Sequence, residues 1–231
     1  MPLDRQPDPL IAPLGDRALR VDFGQRIDPG LNARVHGLAA RIRRAELPGV
    51  TDLVPAYASL AVHYRPEAWE GQEGSPYDAL VDALAPLLLD QAEPTMEPAR
   101  TIEIPVRYGG AHGPDLEEVA HQAGLSPADF AGRHAAGRYR VYMLGFTPGF
   151  AYLGGLDPAL AAPRRSMPRT QVPAGSVGIA GEQTGIYPCD SPGGWQLIGR
   201  TDATLFDPGR EEPCLFRPGD RVRFVAVGAA P

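Results

Sequence analysis

YMLGFTPGFAYLGGLDP at residues 142–158, PRRSMPRTQVPAGSVGIAG at 163–181, TGIYPCDSPGGWQLIGRTD at 184–202 and ATLFDP at 203–208 follow one another almost without a break. Glycine or proline recurs every few residues. Between them stand Phe146, Phe150, Tyr152, Tyr187, Trp195 and Phe206, which carry enough apolar area to anchor a core. A disordered low-complexity segment lacks such residues. The stretch therefore reads as a small, tightly curved β-structure whose bends use glycine for positive φ and proline for a fixed φ.

Glycine also leaves backbone N–H groups uncovered, and N–H groups facing a concavity bind anionic or carbonyl oxygens. Gly175, Gly193 and Gly194 are the candidates nearest Arg164, Arg165, Arg169 and Arg200, whose planar guanidinium forks suit carboxylate, carbamate or phosphate. Phe146, Phe150, Tyr187 and Trp195 supply aromatic faces for the same surface, with Ser176 beside Gly175. The prolines around Arg164, Arg165 and Arg169 restrict the backbone, so less freedom is lost when those arginines engage a ligand. Composition is equally consistent with a barrel that needs many corners and carries its arginines on a solvated rim, salt-bridged to Asp157, Glu182 or the N-terminal domain.

No residue declares itself catalytic. There is no GxSxG elbow, since AGSVG places Ser176 directly after Gly175, so Ser176 reads as a small strand residue. Asp157 and Asp190 sit where turns recruit aspartate. Cys189 and Cys214 form no CxxC pair, and the histidines show no metal-ligand spacing, so neither a disulfide framework nor a metal site is indicated. The 22 basic residues are all arginine. Without lysine, a P-loop, a Schiff base, a pyridoxal site and a biotin-carrying side chain are all excluded within this sequence.

The net charge of −6 argues against a nucleic-acid partner, which needs a basic footprint. No apolar run has the length of a membrane span, and MPLDRQPDPL is too acidic and proline-rich for a signal peptide, so the expected location is the cytoplasm.

Towards the N-terminus, residues 10–14, 18–23, 50–57 and 60–64 read as strands. Two helices interleave with them. One starts at Asp28-Pro29 with Leu31, Val35, Leu38, Ala39 and Ile42 on its apolar stripe and Arg34, Arg41 and Arg44 on a solvated face. The other is capped by Ser75. The order ββαββα describes a small α+β domain over residues 1–92, followed by a linker at 93–100. Residues 101–231 form the second domain: a strand at 101–108, helices started by Asp115 and Ser126, and then evenly spaced short strands that suggest a closed barrel. His134 falls at a helix end, where the dipole favours a cation.

The segments GFTPGFAYLGGLD, PRRSMPRTQVPAGSVGIAG, YPCDSPGGWQLIGRT and LFDP, with GDRALRVDFG and VPAYASLAVHY upstream, resemble the family of KipI and the 5-oxoprolinase B subunits. The same family is called allophanate hydrolase subunit 1 and is similar to part of the carboxyltransferase domain of urea carboxylase. The resemblance implies a two-domain α+β chain with a cyclophilin-like β-barrel. It further implies a B component that opens 5-oxo-L-proline to L-glutamate with A-like and C-like subunits, in a complex that uses ATP. Two other functions stay open within the resemblance: inhibition of a sensor histidine kinase by docking on its dimerisation helices, and a role in an allophanate or urea carboxylase assembly.

Overall fold

The computed structural model describes residues 9–71, 74–89 and 100–228. The chain divides into two compact units, Met1–Glu97 and Pro98–Pro231. Residues 93–99 of the predicted linker lie outside the described residues. Arg100 already belongs to the second unit, where its guanidinium meets the buried Asp220 carboxylate. No helix among the described residues is long and apolar enough to cross a membrane.

In the first unit, β1 (Leu10–Pro13), β2 (Ala18–Asp22), β3 (Val50–Pro55) and β4 (Ser59–Tyr64) form one antiparallel sheet in the order β1-β2-β4-β3. The period-2 pattern puts Leu19, Val21, Leu60, Val62 and Tyr64 on one face, where they pack with α1 (Pro29–Ala45) and α2 (Pro76–Leu89). Both helix starts follow the predicted chemistry. Asp28 accepts from the Gly30 and Leu31 amides, and Ser75 and Asp78 cap each other reciprocally.

The predicted solvated face of α1 does more than meet water. Arg41 Nε donates to the Leu87 carbonyl at 2.8 Å, satisfying one of the acceptors that the end of α2 leaves open, and the Arg34 guanidinium lies 4.8 Å over the Phe23 ring. Asn32, off the apolar stripe, is fully buried because its amide serves the Ala56 and Tyr57 carbonyls at the turn into β4.

The second unit is the expected closed barrel. It is formed by β5 (Thr101–Tyr108), β6 (Tyr139–Leu144), β7 (Ala151–Gly154), β9 (Ser176–Ala180), β10 (Gln183–Ile186), β12 (Gln196–Arg200) and β13 (Arg221–Ala226), in the order β10-β7-β6-β13-β5-β12-β9. The first and last strands, β5 and β13, pair in parallel and every other ladder is antiparallel. α3 (Leu116–Gln122) and α4 (Pro127–Ala136) follow β5, while β8 (Arg169–Val172) and β11 (Ser191–Gly193) make a separate two-stranded sheet. The core joins Ile104, Val106, Val141, Leu153, Val177, Ile179, Ile198 and Phe224 from the strands to Leu116 and Phe130 from the helices.

His134 is the main departure from expectation in this unit. It is fully buried instead of capping α4 as an exposed cation. Its Nδ1 lies 2.7 Å from the Tyr108 hydroxyl and its Nε2 3.0 Å from the Thr184 hydroxyl. Thr184 spends its own proton on the Gly178 carbonyl, so it accepts from Nε2–H, and the Tyr108 hydroxyl donates to Nδ1. Both ring nitrogens are thus satisfied in the neutral state, and the ring packs 4.6 Å from that of Phe224.

Burial lowers the His134 pKa to about 3. An unfolded histidine titrates near 6.5, so the unfolded chain takes up a proton that the folded chain refuses. The contribution of neutral His134 to stability is complete above about pH 6.5. It is lost as the pH falls from there towards 3, at about 1.4 kcal/mol per pH unit. Urea unfolding at pH 7, 6, 5 and 4 should show this slope in the wild type and a flatter one in His134→Gln; identical slopes would refute the assignment.

Candidate functional site

The arginine-rich loop at residues 163–169 leads into β8 and is laid against β11 and the residue that follows it by backbone bonds. The Arg165 amide donates to the Gly194 carbonyl at 2.8 Å, and Arg169 opposes Gly193 in the β8–β11 ladder. The side chains of these two arginines converge on one acid. Arg165 Nη1 and Arg169 Nη2 both donate to Asp115 Oδ1, at 3.0 and 2.7 Å, while Oδ2 accepts the Leu197 amide at 2.6 Å. Asp115 is 3% exposed, and its own amide donates to the Leu197 carbonyl, so the acid is fastened to β12 from both sides. The sequence offers Asp115 as a helix cap. Its side chain makes no capping bond to α3 and serves the arginines instead.

Arg164 differs from its neighbours. It is exposed and, among the described residues, meets no carboxylate. Its positive charge favours the ionised forms of the Tyr152 and Tyr187 hydroxyls. Burial outweighs that influence and raises both pKa values; at Tyr187 a backbone hydrogen bond from Trp195 and the charges of Arg164 and Arg169 pull the other way. Tyr187 belongs to an aromatic cluster centred on Phe150, whose ring centroid lies 4.8 Å from Tyr152, 5.4 Å from Tyr187 and 5.6 Å from Trp195. Gly193 is required here, since a Cβ would sit 2.4 Å from the Tyr187 hydroxyl oxygen.

The remaining predicted residues are placed otherwise. Arg200 donates from Nε to the Ala174 carbonyl at 2.9 Å, bracing the turn before β9. Gly175, at φ +80°, is the corner of that turn, and a Cβ would meet the Thr201 carbonyl oxygen at 2.0 Å. Its amide is not open, because it donates to the Tyr187 carbonyl at 2.7 Å. The amides of Gly145 and Gly181 likewise donate to the Phe150 and Ala162 carbonyls. Ser176 is buried and its hydroxyl donates to the Pro173 carbonyl at 2.7 Å, so it has a structural partner and no adjacent base. The Gly194 carbonyl holds Arg165, as described above. Asp190 accepts from the Ala174 amide and the Gln171 side chain, bonds that lower its pKa, and Asp157 accepts from the Ala159 amide. Both acids therefore hold turns.

Phe146 is conspicuous for a different reason. It has φ +70° and its side chain is 62% exposed, so a bulky residue occupies left-handed backbone without the reward of burial. The Leu144–Gly149 run and Cys214 line a shallow, open depression of about 340 Å³ there, and the Thr147 hydroxyl is buried without a partner among the described residues. The Phe146 ring reaches the aromatic cluster edge-on, 5.7 Å from Phe150. Replacement by glycine, Phe146→Gly, removes the backbone strain and little packing. Unfolding free energy should stay level or rise by about 1 kcal/mol; a fall of that size in calorimetry would show that the ring holds the loop.

Taken together the surface supplies positive charge on a rigid frame, but the expected aromatic faces of Phe150, Tyr187 and Trp195 are spent on a small core, at 2%, 2% and 5% exposure. Among the described residues it contains no Ser–His or Cys–His pair: Ser176 is bonded to a carbonyl, His134 lies in the barrel interior and Cys189 is exposed at a turn.

The family model of the carboxyltransferase domain, subdomain C and D, matches residues 9–216. The chain is 46% identical over 223 residues to the 5-oxoprolinase B subunit of Bacillus subtilis, covering 94% of this chain and 92% of that one. It is 44% identical over 214 residues to the 5-oxoprolinase B subunit of Escherichia coli O157:H7, with 92% and 93% covered. Among solved structures, TTHA0988 superposes with a TM-score of 0.78 at 42% identity over 93% of this chain, which spans only 41% of that longer protein. A match of this extent in sequence and fold makes the chain a member of the carboxyltransferase domain, subdomain C and D, family, in the branch that holds the 5-oxoprolinase B subunits.

Proposed function

We propose that the chain is the B component of an ATP-dependent 5-oxoprolinase, opening 5-oxo-L-proline to L-glutamate together with A-like and C-like subunits. The observation that carries this reading is the 44–46% identity to two 5-oxoprolinase B subunits over more than nine-tenths of both partners in each pair. The chemistry of the surface agrees with a component that works in company. Opening the lactam adds one water across the C–N bond, and converting ATP to ADP and phosphate consumes a second. Neither step has a nucleophile or general base at the arginine surface, so another subunit supplies it. The ATP site is likewise assigned to the complex, since a chain without lysine offers no P-loop lysine to the phosphates. The role left to this chain is to bind and orient oxygen-rich groups through Arg164, Arg165 and Arg169.

Reconstitution tests the reading. A-like and C-like subunits encoded beside this chain should release glutamate and ADP from 5-oxoproline and ATP only when the chain is added. Equal rates without it would overturn the proposal. So would a trio that is inert on 5-oxoproline but turns over urea or allophanate, or a chain that instead slows autophosphorylation of a sensor histidine kinase.

A further inference from the structure

Among the described residues of the second unit, Phe146 and Met167 are the most exposed large apolar side chains, at 62% and 78%. Each forgoes the transfer energy that burial would supply. Phe146 adds a second cost in its φ of +70°, a conformation that bulky residues rarely adopt. An outlier of this kind marks a place where the fold gives up stability for something else. The ring also lines the shallow depression formed by the Leu144–Gly149 run and Cys214.

The two side chains are mounted on one support. Phe146 meets Phe150 edge-on at 5.7 Å, and Phe150 meets Trp195 at 5.6 Å in the small buried cluster they share with Tyr187. The loop that carries Met167 is fastened to the residue before Trp195: the Arg165 amide donates to the Gly194 carbonyl, and the Pro168 ring lies 3.6 Å from the position that a Cβ on Gly194 would take. Arg165 and Arg169, both held by Asp115, fix the same loop on either side of Met167. Aromatic residues, methionine and arginine are the types that protein interfaces concentrate, and anchors already held in place lose little freedom on binding.

Charge and chain length say what covers them. Arg164, three residues from Met167, is exposed and meets no carboxylate among the described residues, so the occupant presents an acidic side chain, itself an oxygen-rich group, next to its apolar ones. TTHA0988 carries this fold as 41% of one chain, whereas this chain covers 92% of the Bacillus subtilis B subunit. Such a B subunit lacks a body of protein that TTHA0988 keeps attached. We infer that Phe146 and Met167 anchor a docking surface for the protein corresponding to the part of TTHA0988 beyond the match, through a segment that pairs apolar side chains with a carboxylate for Arg164. The inference rests on the reading of the chain as one component of a complex, and adds where its partner binds.

The test is isothermal titration calorimetry, without substrate or ATP, of the full chain against the protein encoded beside it whose sequence matches that part of TTHA0988. Phe146→Asn removes the ring while keeping a residue that tolerates left-handed backbone. It and Met167→Ser should each weaken binding about tenfold or more, with no loss in the urea midpoint of the chain. Arg164→Glu should weaken binding most at low salt, where the wild type binds best. A variant of either anchor that binds within about twofold of the wild type would overturn the inference. So would a wild type that ignores that protein or associates only with a second copy of itself. The functional reading is judged separately. Association through these anchors in an assembly that turns over urea and not 5-oxoproline ends the 5-oxoproline reading and leaves the surface standing. Full 5-oxoproline turnover by Phe146→Asn at unchanged subunit affinity does the reverse.

Discussion

A single buried carboxylate organises the exposed chemistry of the barrel. Asp115 is 50 and 54 residues away in sequence from the two arginines it binds, and 82 from the amide that binds it. A carboxylate removed from water needs nearly all its lone pairs occupied, and here each oxygen has a donor of defined direction. The arginines in turn cannot relax into solvent without leaving that charge uncompensated, a loss of about 3–5 kcal/mol for buried pairs of this kind. The loop at 163–169 is thereby held in one shape although it contains no regular secondary structure until β8. Residues with little local reason to be ordered are ordered by one long-range contact.

The same logic, with neutral partners, governs the barrel interior. His134, Tyr108 and Thr184 come from α4, β5 and β10 and close a chain of hydrogen bonds that ends on the Gly178 carbonyl. Such a network tolerates only one proton arrangement, which ties the helix to both sides of the barrel and makes the packing specific. The polar groups inside this unit fix geometry, and the charge left over, that of Arg164, appears at the surface.

Much of the architecture was legible in the chain. Alternating Leu60, Val62 and Tyr64, the Asp28 and Ser75 caps, and the glycine and proline rhythm of residues 142–208 pointed to an α+β unit followed by a closed barrel, because each depends on contacts within a few residues. The functional side chains were less legible. The arginines stood out by type and spacing, but Asp115 looked like an ordinary helix cap and His134 like a helix-end cation. In both, a sound local rule lost to a tertiary partner: the Asp115 carboxylate found two guanidiniums, and the His134 ring found a barrel to fill. Gly175 misled in the same way: its amide looked open because glycine is small, yet the corner it forms places that amide against the Tyr187 carbonyl.

What the sequence by itself determined was the set of local choices and the exclusions: where strands and helices start, where the backbone must turn, and that no lysine chemistry occurs within these residues. Only the tertiary structure decided which charges are spent and which remain. Arg165, Arg169 and Arg200 are indistinguishable from Arg164 as letters, and differ because three of them reach acceptors in the folded chain while the fourth stays at the surface. Pairing energy depends on distance and on exclusion of water, and both exist only after closure of the barrel has brought distant segments together.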